Sequence, residues 1–149
     1  MVVNVVDKQA NVLVQKRMDG CTHVGIPEFS YAKAYTCVAM NLSSREFRDK
    51  YTSDNNPAKL CQMNSMINIS GGKMAAFPGG ILLRNRDNDV LGAIGVSGAS
   101  GDEDEYVCLR SVWDSGFIDH STKGTQLYIV EGKLIESCHH FTIPSMGLW

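Results

Sequence analysis

An α/β chain of the α+β kind, an antiparallel sheet with helices packed on it, is the fold class that the sequence predicts. Three observations predict it. Strand-like segments come in pairs joined by turn-forming stretches, the pattern of β-hairpins. Helix-like segments stand in groups between those pairs instead of alternating with single strands. The 149 residues fit one domain, which buries roughly 70% of the surface its unfolded chain exposes, and no repeat, low-complexity run or linker divides them.

The elements follow in order. Residues 2–6 and 12–18 are β-branched and apolar, and Asp7-Lys8-Gln9-Ala10-Asn11 separates them as a hairpin loop. Asp19-Gly20 closes the second strand with turn chemistry. Pro27 and Glu28 suit the first turn of a helix. From there to residue 40 the apolar set Tyr31, Ala34, Tyr35, Val38 and Ala39 recurs at helical spacing. Ser43-x-x-Glu46 is a capping box that starts a second helix. Pro57 starts a third, carrying Leu60, Met63 and Met66. Gly71-Gly72 breaks the chain, and a strand or extended piece through Met74 and Ala75 leads to Phe77-Pro78-Gly79-Gly80. Residues 81–84 and 90–96 read as a second hairpin over Asn85-Arg86-Asp87-Asn88-Asp89. Ser97-Gly98-Ala99-Ser100-Gly101 exits into a further helix, announced by the box Ser100-x-x-Glu103 and by acids at positions 102–105. Tyr106, Leu109 and Trp113 form its stripe, with Val112 beside them. Residues 126–131 and 134–142 flank Gly132-Lys133 as a last hairpin.

Composition excludes several functions. The net charge of -2 provides no basic field for phosphates, which argues against nucleic-acid partners. Lys8, Lys16, Arg17, Arg45, Arg48 and Lys50 are interleaved with acids and read as solvated surface. No apolar run approaches the ~20 residues of a membrane span. The first residues lack the basic region and cleavage site of a secretory signal. Cys21, Cys37, Cys61, Cys108 and Cys138 are widely spaced with no C-x-x-C pair, which suits a reducing compartment and buried thiols. The expected location is cytoplasmic.

One run is more specific than the rest: Ala76-Phe77-Pro78-Gly79-Gly80-Ile81-Leu82-Leu83, then Val90-Leu91-Gly92-Ala93-Ile94-Gly95-Val96-Ser97-Gly98, then Asp104-Glu105. It resembles the signature of the haem-degrading HbpS/GlcG-like family, which also includes the C-terminal domain of PduO-type corrinoid adenosyltransferases. Asn4-Val5-Val6-Asp7 with Arg17-Met18-Asp19-Gly20 is similar to that family's first hairpin, and Ala32-Lys33-Ala34-Tyr35-Thr36 to its first long helix after that hairpin. The resemblance covers about residues 3 to 115. It implies a profilin-like fold, a five-stranded antiparallel sheet with helices on both faces, often assembled as dimers or larger homo-oligomers. It also implies a helix before the first strand, whereas this sequence opens in that strand. The expected organisation is therefore an HbpS/GlcG-like domain over residues 1–116, and a β-rich extension over residues 117–149 packed on the same domain in place of that helix.

The candidate site residues follow. Phe77, Pro78, Gly79 and Gly80 form either a pocket wall or a turn with only a backbone role. Lys33 is a candidate for holding a propionate or other carboxylate, against the alternative of a surface charge with a packed stem, and Tyr35 is then core. Ser97 and Gly98 lead to the positive end of a helix, a natural anion site. Gly92 and Gly95 leave room in a strand for close approach of backbone or ligand. His23 is a candidate ligand to haem iron or a base, against a solvated loop histidine. His139 and His140, adjacent in a strand, point to opposite faces, and His120 lies in a polar loop. The acids at 102–105 lack calcium-loop spacing and read as helix capping. No nucleophile elbow, catalytic cysteine signature, P-loop or dinucleotide fingerprint is present.

Three functions remain in view. The first is a haem- or tetrapyrrole-binding protein, with haem as cofactor and its degradation as the activity that the resemblance implies. The second is an enzyme or accessory protein of small hydroxy-acid metabolism, with Lys33 and the amides near Gly79-Gly80 and Ser97-Gly98 binding a carboxylate. The third is a structural oligomerisation module.

Overall fold

The computed structural model describes residues 1–21, 23–85 and 87–115 together with the short pieces 129–130 and 133–134. Strands β1 (Val2–Asp7) and β2 (Val12–Arg17) form the expected first hairpin. Asp7 closes its loop, its carboxylate accepting the Gln9 and Asn11 amides at 2.8 and 2.9 Å. Helices α1 (Ile26–Met40), α2 (Ser44–Thr52) and α3 (Pro57–Ile69) follow, then β3 (Gly80–Arg84), β4 (Val90–Ser97) and α4 (Gly101–Asp114). The sheet runs β2-β1-β4-β3, antiparallel throughout.

The sheet has four strands among the described residues, not five. The stretch through Met74 and Ala75 does not join it. The Ala75 amide donates to Thr36 Oγ1 at 2.8 Å and its carbonyl accepts from the same hydroxyl at 3.2 Å, so this backbone bonds to α1. The last hairpin survives as a separate short pair, β5 (Ile129–Val130) with β6 (Lys133–Leu134). The rest of the expected extension, with His120, Cys138, His139 and His140, lies outside the described residues.

Strand alternation sends successive side chains to opposite faces, and each face has its own core. Leu82 and Ala93 meet Val6, Ala34 and Cys37 under α1. Ile81, Ile94 and Val96 meet Cys108, Leu109 and Val112 under α4. Gly95 is the point where α1 crosses the sheet: an added Cβ would stand 2.0 Å from the Ser30 carbonyl oxygen. The close approach there is therefore made by backbone.

The stripe expected for α1 is displaced. Its buried residues are Ser30, Ala32, Lys33, Ala34, Thr36 and Cys37, while Tyr31 and Tyr35 are half-buried and Ala39 is exposed. The helix is covered on more than one side, by the sheet and by the Met74–Ala75 segment, so its interior positions include polar groups with partners. Ser30 donates to the Pro27 carbonyl at 3.0 Å and Thr36 to the Ala32 carbonyl at 2.8 Å. On α4, Leu109 and Val112 are buried as expected, but Asp104, Glu105 and Cys108 share the inner face and Tyr106 is half-buried. Both capping boxes are present: Ser43 with Glu46, and Ser100 with Glu103. Cys37 and Cys108 are buried, but Cys61 is exposed on α3 and does not act as a buried thiol.

Candidate functional site

A cleft of about 420 Å³ opens where the start of α1, the Phe77 loop and the turn from β4 into α4 meet. Ile26, Phe29 and Phe77 supply apolar walls, and Phe29 and Phe77 keep more than half of their surface exposed. His23 stands at the exposed edge, immediately before the Val24–Gly25 turn that leads into α1. Ser97, Gly98, Ala99 and Gly101 form the opposite side. Lys33 and Asp104 line the interior.

Five of the eight candidate residues named from sequence meet here: His23, Lys33, Phe77, Ser97 and Gly98. Pro78, Gly79 and Gly80 do not line the cleft; all three are buried behind it. Pro78 packs against Gly101, where a Cβ would stand 3.0 Å from the proline ring. Gly79 has φ +113°, and its carbonyl accepts from the Val96 amide at 2.8 Å and from Cys108 Sγ at 3.1 Å. The Gly80 amide donates to Ser44 Oγ at 2.8 Å. The expectation that Gly79 and Gly80 amides face a ligand is thus corrected for Gly80, because Gly80 starts a strand and its N–H is committed inside the fold.

Lys33 is not a surface charge. Its side chain is 4% exposed and that of Asp104 is 2% exposed. Lys33 Nζ donates to the Asp104 carboxylate at 2.7 Å and to the Val96 carbonyl at 2.9 Å. The other oxygen of Asp104 accepts the Ala99 amide at 3.0 Å. Burial pushes the Asp104 carboxyl above its ordinary range, and the Lys33 ammonium pulls it back without cancelling the effect. Burial likewise raises Glu105, whose partner is Arg45 at 2.6 Å. Arg45 also reaches Asp102, and Glu103 closes the cap with Ser100. All four acids of the run therefore have protein partners, and no cluster fit to hold a metal ion by itself occurs among the described residues.

Sequence reasoning missed Ile26, Phe29, Ala99, Gly101 and Asp104 as lining residues. Asp104 carried a partial signal: it lies four residues before Cys108 and eight before Val112, on the inner face of α4 that Glu105 shares. Phe29 carried none, since a large apolar residue in a first helical turn reads equally as core.

The fold and the site define a small antiparallel α+β domain with an apolar cleft between a helix start and two glycine-bearing loops. The chain belongs to the family described as haem degrading protein HbpS-like, whose model matches residues 1–112. Among solved structures it is similar to PduOC in its complex with haem, with 27% identity, 80% of each chain covered and a TM-score of 0.67. It is similar to HbpS, with 28% identity over 76% of this chain and 72% of the other, at a TM-score of 0.60. The ORFY protein of Klebsiella pneumoniae, at 23% identity, covers 72% of this chain and 69% of its own with a TM-score of 0.61, and shares the fold. No curated protein matches the sequence. No helix among the described residues is long and apolar enough to cross a membrane.

Proposed function

We propose that this protein binds haem or a related tetrapyrrole in the cleft between α1, the Phe77 loop and the β4–α4 turn. The observation that carries the reading is the chemistry of the lining: exposed aromatic walls with a single imidazole at the edge, in a chain similar to a protein solved with haem. A porphyrin is a flat apolar body that needs apolar walls and an axial donor for its iron. Phe29, Phe77 and Ile26 would hold the macrocycle, and His23 would supply the donor. Bound haem would bring a redox-active iron that this chain's own side chains do not provide. Haem degradation is the finer reading, and it is supported by the family description alone.

The small-carboxylate reading is disfavoured by the polar groups it needs. Asp104 already engages Lys33 and the Ala99 amide, and Ser44 engages the Gly80 amide. Assembly into homo-oligomers is supported by β2, an edge strand exposed along its whole length with Val12, Leu13 and Val14 at the surface. Widely spaced cysteines with no C-x-x-C pair are in keeping with a reducing, cytoplasmic setting.

A haemin titration followed in the Soret region tests the proposal. Wild type should give a saturable one-to-one band shift, and His23→Ala should change the shape of the band. A wild-type response no larger than that of an unrelated protein would refute tetrapyrrole binding. An unchanged spectrum in the variant would remove His23 as the iron ligand. Protein-dependent loss of the Soret band under oxygen and a mild reductant, beyond that of free haemin, tests degradation.

A further inference from the structure

The cleft contains two features that ordinarily attract an anion. One is the Lys33 ammonium, and the other is the Ala99 backbone N–H in the turn that leads into α4. Both are turned on a carboxylate that belongs to the protein. Asp104 Oδ2 receives Lys33 Nζ at 2.7 Å, and Oδ1 receives the Ala99 amide at 3.0 Å. The neighbouring acids do not share this role, because Asp102 and Glu105 face Arg45 and Glu103 faces Ser100. Asp104 is the only acidic side chain that lines the cleft, and His23 is the only other titratable one beside Lys33 among the described residues.

We propose that Asp104 determines the ligand class of the cleft by acting as the built-in occupant of an anion site. It leaves the interior electrically neutral, so a ligand is selected by its apolar body and not by a carboxylate. A tetrapyrrole would then keep its propionates toward solvent, and esterifying them would change affinity little. Replacing Asp104 by Asn keeps an oxygen for the Ala99 amide, removes the negative charge and frees the Lys33 ammonium for an incoming anion. The location of the ligand rests on the tetrapyrrole reading; the charge preference is a property of Asp104.

The test uses benzoate, a small carboxylate with an apolar ring, on wild type, Asp104→Asn and the double variant Lys33→Met with Asp104→Asn. Benzoate should bind Asp104→Asn about tenfold more tightly than wild type, the effect of one added charge-assisted hydrogen bond, and the double variant should lose the gain. Equal binding by wild type and Asp104→Asn, or a gain that survives without Lys33, would overturn the proposal. A second measurement needs no variant, and it guards against misfolding of Asp104→Asn. Haemin and its dimethyl ester should bind wild type within about threefold of one another, and a preference for the free acid beyond about tenfold would overturn the proposal. The two readings fail separately. Absence of haemin binding with the benzoate pattern intact removes the tetrapyrrole, and haemin binding without the benzoate gain removes the role of Asp104.

Discussion

Lys33 and Asp104 stand 71 positions apart in the chain and meet in the interior at 2.7 Å. Removing one partner of such a pair strands the other. Lys33→Met should therefore destabilise the fold by about 3–5 kcal/mol, and adding Asp104→Asn should restore part of that loss; urea denaturation of the two variants checks both. The pH dependence has a definite sign. Burial raises Asp104 and Glu105, so each favours the folded state most when protonated. Their contribution is full below the ordinary carboxylate range and is lost as pH rises from that range through the raised values. Asp104→Asn should flatten the melting temperature against pH over that window; an unchanged slope would count against the assignment. The sequence showed the lysine and the acids, but not that they meet. Helical periodicity ranks faces by apolar residues, and a charge whose partner lies on a distant element looks like surface.

The helix starts were the most legible elements, because a cap is local: Ser43 and Glu46 are three residues apart and need no tertiary information. Ser43→Ala should cost about 1 kcal/mol. Ser44→Ala should cost about 1–3 kcal/mol, since it leaves the buried Gly80 amide without its acceptor. Thermal and denaturant unfolding distinguish these from a neutral surface change. The α1 stripe was less legible. A helix covered on several sides has no single apolar face, and Ser30, Lys33 and Thr36 are inside because each has a partner. The Met74–Ala75 piece stays outside the sheet for a related reason: the Ala75 backbone bonds Thr36, and the Met74 amide donates to Ser70 Oγ at 3.2 Å.

Across the whole molecule, the order of elements was legible from hairpin and helix patterning, and the choice of architecture came from the run around Phe77–Gly80 and Val90–Gly98. The cleft was only half legible, since its lining comes from the ends of separate elements. Stability should follow the two cores. Leu82→Ala, fully buried under α1, should cost about 2–5 kcal/mol, whereas Ile69→Ser at the exposed end of α3 should stay within about 0.5 kcal/mol. The claim on which the functional account depends is the place of the ligand. Zinc protoporphyrin, a diamagnetic stand-in for haem, titrated into isotope-labelled protein tests it directly by the amide shifts it perturbs. The account predicts the largest changes at Ile26, Phe29, Phe77 and Gly98, with β2 and α3 unmoved. Changes centred on β2 or α3, with those four residues silent, would contradict it.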